Sequence, residues 1–369
     1  MKKTSTRLAD GRELLYYDLR DDTVRDAVDQ RPPGRTVTTS ELRRDVLLGD
    51  SVAIASHRQG RVYHPPAAEC PLCPSRDGRP TEIPDSSYDV VVFENRFPSL
   101  AGETGRCEVV CFTSDHEASF ADLTEEQAGL VLEAWTDRTA ELSRLPEVRQ
   151  VFCFENRGAE IGVTLGHPHG QIYGYPFVTP RTALMLRSLA AHREAGGGEN
   201  LFDAVLEREL ADERVVLESD NWVAFVPYAA HWPYEVHLYP RRRVPDLLAL
   251  DEAARAEFPA VYLDLLRRFD RLFDGPDGGG RGSGEGGKDA GGAPPTPYIA
   301  AWHQAPFGPL TEFDGVNRED FALHLELFTI RRTSGKLKFL AGSESGMNVF
   351  INDVRPETAA QRLREVASS

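Results

Sequence analysis

One order of hydrophobic patterns, strand, strand, helix, strand, strand, occurs twice in this chain of 369 residues, and no other feature restricts its fold as strongly. In the first half the patterns are "YDVVVFENRFPSL", "RCEVVCFTSDH", "LTEEQAGLVLEAWTDRTAELSRL", "VRQVFCFENRG" and "GHPHGQIYGY". In the second they are "NWVAFVPYAAHWPY", "YEVHLYPRRRV", "LDEAARAEFPAVYLDLLRRFDRLF", "PYIAAWHQAPFG" and "ALHLELFTI". From Asp89 to His167 is 78 positions and from Asn221 to His324 is 103, a difference that the glycine-rich run "DGPDGGGRGSGEGGKDAGGAPPTP" supplies. The reading is an α+β fold of two duplicated units, a mainly antiparallel sheet with flanking helices; two meanders alike by chance are the alternative. It divides the chain into a polar arm over 1–45 with little core of its own, a first half over 46–195 and a second over 196–369. The glycine-rich insertion, 274–296, is expected to be a disordered surface loop.

The same alignment sets His324 and Glu326 of "LHLEL" opposite His167 and His169 of "GHPHGQ", so that only the first half keeps the second histidine. Duplication followed by loss in one copy leaves one reactive centre per chain.

Charge narrows the partners. With 58 acidic against 42 basic residues, a net charge of -16 repels nucleic-acid backbones and anionic lipid heads. No run of 18 apolar residues occurs, and the opening "MKKTSTRLADGRELLYY" has no apolar segment after its lysines, so the expected location is the cytoplasm. In that reducing compartment five cysteines serve as core residues or metal ligands rather than as disulfides.

Cys70 and Cys73 of "ECPLCPS" have the spacing at which two thiolates on one turn reach a tetrahedral Zn²⁺. There is no second CxxC, so the remaining ligands are sought among histidines at strand ends, His116 and His167. Such a site is closed at four ligands and therefore structural; a pair of buried thiols beside two satisfied histidines is the alternative. On a strand His167, His169 and Gln171 share one face. If zinc holds His167, His169 remains as the nucleophile, an imidazole suited to attack on phosphorus. Gln171 offers an amide that donates to a phosphate oxygen but carries no catalytic proton, and Gly170 lets a phosphate approach the backbone.

HPHGQ, an upstream "FENRGAEIG", the "CPLC" turn and a later "WHQAPF" together resemble galactose-1-phosphate uridylyltransferases of the histidine-triad superfamily, over about Asp45 to Val366. The resemblance implies histidine-triad-like units and exchange of a uridylyl group between UDP-glucose and galactose 1-phosphate through a covalent uridylyl-histidine. It implies His169 as nucleophile, Gln171 as the stabiliser of the intermediate, and Zn²⁺ on Cys70, Cys73, His116 and His167. Asn156 and Thr164 then touch the phosphates, Arg58 and Arg61 form the basic pair beside the diphosphate, and Asn95 and Leu72 hold the uridine. Lys338, Phe339 and Glu344 correspond to the sugar-contacting segment, which in the family reaches the neighbouring subunit of a homodimer.

A second metal, iron or zinc, is implied at His303, His324 and Glu326, although Met185 stands where the family has a glutamate ligand. Arg96 replaces a common aspartate beside the ribose, and Ser343 a common tyrosine near the sugar. These two changes keep a nucleotidylyltransferase or phosphorylase acting on ADP-glucose or a dinucleoside polyphosphate as an alternative. A non-catalytic, zinc-stabilised nucleotide-binding protein is the reading from another class.

Overall fold

The structure is a computed structural model that describes residues 1–34, 40–60, 65–76, 78–196, 198–274 and 295–367. In chain order the strands are β1 (Lys2–Arg7), β2 (Glu13–Asp18), the small hairpin β3 (Glu41–Arg44) and β4 (Ser51–Ile54), β5 (Val90–Glu94), β6 (Arg106–Cys111), β7 (Gln150–Arg157) and β8 (His169–Tyr175). They continue with β9 (Val215–Glu218), β10 (Trp222–Phe225), β11 (Tyr234–Pro240), β12 (Tyr298–His303) and β13 (His324–Thr329). The main helices are α1 (Glu125–Leu142), α2 (Pro180–Glu194), α3 (Leu201–Leu210), α4 (Glu252–Arg271) and α5 (Pro356–Glu365). Each of the ten patterned segments forms the element its period predicts.

Eleven of these strands make one sheet, ordered β1-β2-β5-β6-β8-β7-β12-β13-β11-β10-β9. Its central eight read the same from either end: β5-β6-β8-β7 in one half is mirrored by β12-β13-β11-β10 in the other. The seam is the antiparallel pair β7 and β12, where Glu155 lies opposite Ala300. All ladders of this sheet are antiparallel. The duplication therefore closes on itself as a pseudo-twofold unit.

Helices α1 and α4 pack against each other on one face, and the main core lies beneath them. That core takes Val110, Phe120, Trp135 and Ile172 from the first half and Trp222, Phe258 and Trp302 from the second, so the halves share one interior. Thr124 caps α1 through a hydrogen bond from Gln127 N, and Asp251 caps α4 from Ala254 N, which stops each helix at the polar residue before its apolar stripe. On the opposite face α2 and α3 cover the second half, while the first half is partly open.

The reading of residues 1–45 as an arm without core is corrected by β1 and β2. β2 pairs with β5 and is buried on both faces: Leu15 and Tyr17 join the core under the helices, Leu14 and Tyr16 the opposite cluster. A strand covered on both sides is a continuous apolar run rather than an alternating one, and "LLYY" is such a run. The Arg61 position and almost all of the glycine-rich insertion lie outside the described residues. Among the described residues no helix is long and apolar enough to cross a membrane.

Beneath α1 the guanidinium of Arg138 donates to both oxygens of Glu108 on β6, at 2.8 and 2.9 Å, with both side chains buried. Removing Arg138 leaves the buried Glu108 charge to Arg106, whose longer contact at 3.2 Å offsets less of it. Arg138→Met is expected to lower stability by about 3–5 kcal/mol, and Arg138→Met with Glu108→Leu to recover most of it, read as urea unfolding midpoints.

Candidate active site

β8 is flanked by β6 and β7, and its residues alternate between the two faces of the sheet. Gly170, Ile172 and Gly174 are buried, whereas His169, Gln171 and Tyr173 are only partly so. A Cβ on Gly170 would come within 2.8 Å of both Phe112 Cζ and Phe154 O. The glycine is thus required by packing beneath the strand, and it also borders a cavity shared with His169. His167 precedes the strand, which opens at His169, and the two histidines border one cavity.

The Nδ1 of His169 lies 2.7 Å from the carbonyl oxygen of His167. A carbonyl only accepts, so Nδ1 carries the proton and Nε2 the lone pair. The Tyr173 hydroxyl donates to Gln171 Oε1 at 3.2 Å, which assigns the other end of the amide as the donor. Tyr173 was not singled out from sequence, although the alternation of β8 places it on the same face.

Three cavities meet at His169. One of about 370 Å³ is lined by Leu72, Phe93, Asn95, Phe97, Thr164 and Gln171 among others. A second of about 250 Å³ is lined by Arg58, Asn156, Thr164 and Gln171. The third, about 570 Å³, runs past Asn156, Arg157, His167 and Arg331. Every substrate-contact position expected in the first half and described here thus borders a cavity that contains His169. Asn95 is itself held in place, accepting from Phe97 N at 2.9 Å.

Cys70, Cys73, His116 and His167 bring their donor atoms within 4.8 Å of one another. Cys73 Sγ is 3.3 Å from His116 Nδ1 and 3.6 Å from His167 Nδ1. The Nε2 of His167 lies 2.8 Å from Thr113 O, so that nitrogen holds the proton and Nδ1 presents its lone pair to the sulfur. Burial, followed by repulsion from His116 and His169, pulls His167 down to about 4, which keeps it neutral. Burial and the neighbouring Cys70 push the Cys73 thiol up to about 11; a cation at the centre would reverse that. Two thiolates and two neutral imidazoles are the donors a structural Zn²⁺ takes.

The family described as "Galactose-1-phosphate uridyl transferase, N-terminal domain" matches residues 99–179, and its C-terminal domain matches 187–369. A galactose-1-phosphate uridylyltransferase of Streptomyces lividans is 71% identical over 368 residues, covering 100% of this chain and 98% of that protein. The chain belongs to the galactose-1-phosphate uridylyltransferase family. The Thermotoga maritima member is 35% identical, covering 88% of this chain and 98% of its own. A solved uridylyltransferase superposes with a TM-score of 0.70 at 28% identity, over 89% of this chain and 98% of that one. An ADP-glucose phosphorylase from Arabidopsis thaliana shares the fold at 20% identity, with a TM-score of 0.66 over 90% of this chain.

Within this family fold the ladders revise the expected correspondence between the halves. β8 and β13 each open on a histidine. The sixth residue of β6, Cys111, lies opposite His169, and the sixth of β11, Tyr239, falls opposite His324, one step beyond the Leu238–Leu325 pair. His324 Nδ1 is 2.9 Å from Ala322 O, the same local bond that His169 makes to His167 O. His324 therefore stands where His169 stands, and Glu326 where Gln171 stands. The second half thus keeps a histidine at the position of His169 and has Ala322 at that of His167, the reverse of the sequence alignment, because strand pairing counts residues from the ladder and not from a shared letter.

His303, His324 and Glu326, implied as a second metal set, also lie within 4.8 Å of one another by their donor atoms. His303 Nε2 is 3.3 Å from Glu326, and among the described residues the buried His324 Nε2 has no hydrogen-bond partner. That orphaned nitrogen is what a metal would satisfy, so the set fits one. Two neighbours missed in sequence share the carboxylate: Arg181 Nη2 at 2.6 Å and His237 Nε2 at 3.5 Å from Glu326 Oε1.

Lys338, Phe339 and Glu344 line none of the three cavities. Lys338 Nζ instead donates to Glu344 at 2.9 Å, and Phe339 is 74% exposed, with Leu340, Met347, Val349 and Ile351 of the same segment also exposed.

Two outcomes are expected. Cys70→Ser should lose one equivalent of metal per chain by elemental analysis relative to the parent. Gly170→Ala should lower stability by about 1–3 kcal/mol through overpacking against Phe112, seen as a lower urea midpoint with metal content unchanged.

Proposed function

We propose that this protein exchanges a uridylyl group between UDP-glucose and galactose 1-phosphate by a ping-pong route through uridylyl-His169. The observation that carries the reading is the tautomer of His169, with its proton committed to the His167 carbonyl and its Nε2 lone pair at the meeting point of the cavities.

In the first half-reaction Nε2 forms a bond to the α-phosphorus of UDP-glucose and the bond to the departing oxygen breaks, releasing glucose 1-phosphate. A phosphate monoester leaves readily without a proton, so no general acid is needed, and an amide at Gln171 suffices to donate to a non-bridging oxygen. The uridylylated ring keeps its Nδ1 proton and is cationic, with the charge held against the His167 carbonyl. In the second half-reaction a phosphate oxygen of galactose 1-phosphate attacks the same phosphorus and the ring departs as neutral imidazole. Arg58 and Asn156 orient the diphosphate, and fixing that geometry supplies much of the rate. Thr164 touches the phosphates and Leu72 and Asn95 hold the uracil end.

Zn²⁺ held by Cys70, Cys73, His116 and His167 is structural, tying the CPLC turn to the chain entering β8. His303, His324 and Glu326 are the residues that would hold a second metal, iron or zinc. The exposed apolar surface around Phe339 suits a homodimer in which Lys338, Phe339 and Glu344 serve the partner's sugar site. The location proposed is the cytoplasm. Arg96 in the nucleoside cavity favours a second reading, transfer of an adenylyl group from ADP-glucose.

Incubation with UDP-glucose labelled in the α-phosphate, followed by proteolysis, should place one label per chain on His169 with an equal burst of glucose 1-phosphate. His169→Ala should lose turnover by at least about 10⁴-fold. Full exchange in His169→Ala would end the reading, and label from ADP-glucose alone would favour the second one.

A further inference from the structure

We propose that Glu82 is the carboxylate that receives the ribose hydroxyls of the bound nucleotide, held in place by two arginines of the N-terminal segment; this deepens, and rests on, the uridylyl-transfer reading. The 370 Å³ cavity is mostly apolar, and among its described lining residues Glu82 is the one acidic group. His169 and Gln171 border the same cavity, so the phosphate must lie at their end. A carboxylate repels phosphate, which assigns Glu82 to the nucleoside end.

The side chain of Glu82 is only 7% exposed, and its position is fixed from several directions. Arg12, in the turn between β1 and β2, donates to Oε2 at 2.5 Å. Arg31 reaches Oε1 at 2.6 Å, and Arg96 lies 3.5 Å from the same oxygen. The backbone N–H of Glu82 donates to Pro71 O at 3.1 Å, fastening it to the CPLC turn whose Leu72 lines the cavity. Arg12 is anchored in turn by Asp10 and by the carbonyl of Glu94, and Arg31 by Asp29.

A carboxylate has about four acceptor positions; the two close guanidiniums take one on each oxygen, and the more exposed Arg96 makes a longer bond to Oε1 that a ligand hydroxyl can displace. The remaining lone pairs are presented at fixed angles from a group that no longer has rotamer freedom to lose. A vicinal diol offers two O–H donors a short distance apart and matches a two-oxygen acceptor; the same match places an acidic side chain on the ribose in dinucleotide-binding folds. Hydrogen bonds to an ionised acceptor are the strong ones, so a nucleotide lacking one hydroxyl should be disfavoured. The N-terminal segment thereby has a task beyond completing the sheet, since it brings the cations that hold this acceptor still.

The test is calorimetric binding of UMP and 2′-deoxy-UMP to the full-length parent and to Glu82→Gln, with zinc content and melting temperature measured alongside. The parent is expected to prefer UMP by about 10-fold or more. In Glu82→Gln that preference should fall to about 3-fold or less, mostly through weaker UMP binding, with kcat for UDP-glucose changed far less than KM. Equal binding of the two ligands by the parent would overturn the proposal without any variant. So would an unchanged preference in Glu82→Gln, which is the result expected of a merely structural ion-pair hub. If Glu82→Gln fails to fold, Arg31→Met provides the second arm: loosening Glu82 should reduce the preference, and a full preference there counts against the proposal. Should the parent bind AMP but not UMP, the uridylyl reading fails by itself, and the ratio of AMP to 2′-deoxy-AMP decides the role of Glu82 in the same way.

Discussion

The pairing of β7 with β12 is the constraint from which the rest of the molecule follows. Antiparallel contact along this seam turns two repeats into one sheet, so neither half has to protect an open edge at its centre. It also puts α1 and α4 side by side and gives both halves a common interior. The price of such a closed arrangement is that both chemical clusters lie on the same remaining face, one on either side of the seam.

What was legible in the sequence is what local pattern dictates. Periods of two and 3.6 located all ten repeated elements, and the CPLC turn with His116 and His167 named the four donors that the fold brings together. What was not legible depended on pairing partners. The run "LLYY" looked like part of an arm because a strand buried on both faces has no alternation to read, and only β5 and the two clusters above and below explain it. The correspondence of His324 with His169 needed the ladders, because two histidines separated by two residues offer two equally good registers to the eye. Glu82, Arg12 and Arg31 come together from positions 70 and 51 residues apart, a convergence no spacing rule reports.

Comparison of the halves shows how one scaffold position acquires different chemistry. His169 and His324 share a strand position, a backbone contact and a tautomer. The companion at the next same-face position is an amide in one and a carboxylate in the other, and the lids differ: α2 and α3 close over His324, which is 1% exposed. A buried imidazole beside a carboxylate is suited to a cation; a reachable imidazole beside an amide is suited to an anion. The difference was made by neighbours, with the histidine itself kept.

The bond from His169 Nδ1 to the carbonyl of His167 has one further consequence. The side chain of His167 belongs to the cysteine-rich cluster and its carbonyl accepts from the His169 ring, so a single residue joins the cluster to that imidazole. Any wobble in the scaffold reaches the ring across one peptide unit. The stiffness of the cluster thus sets how precisely the imidazole is aimed.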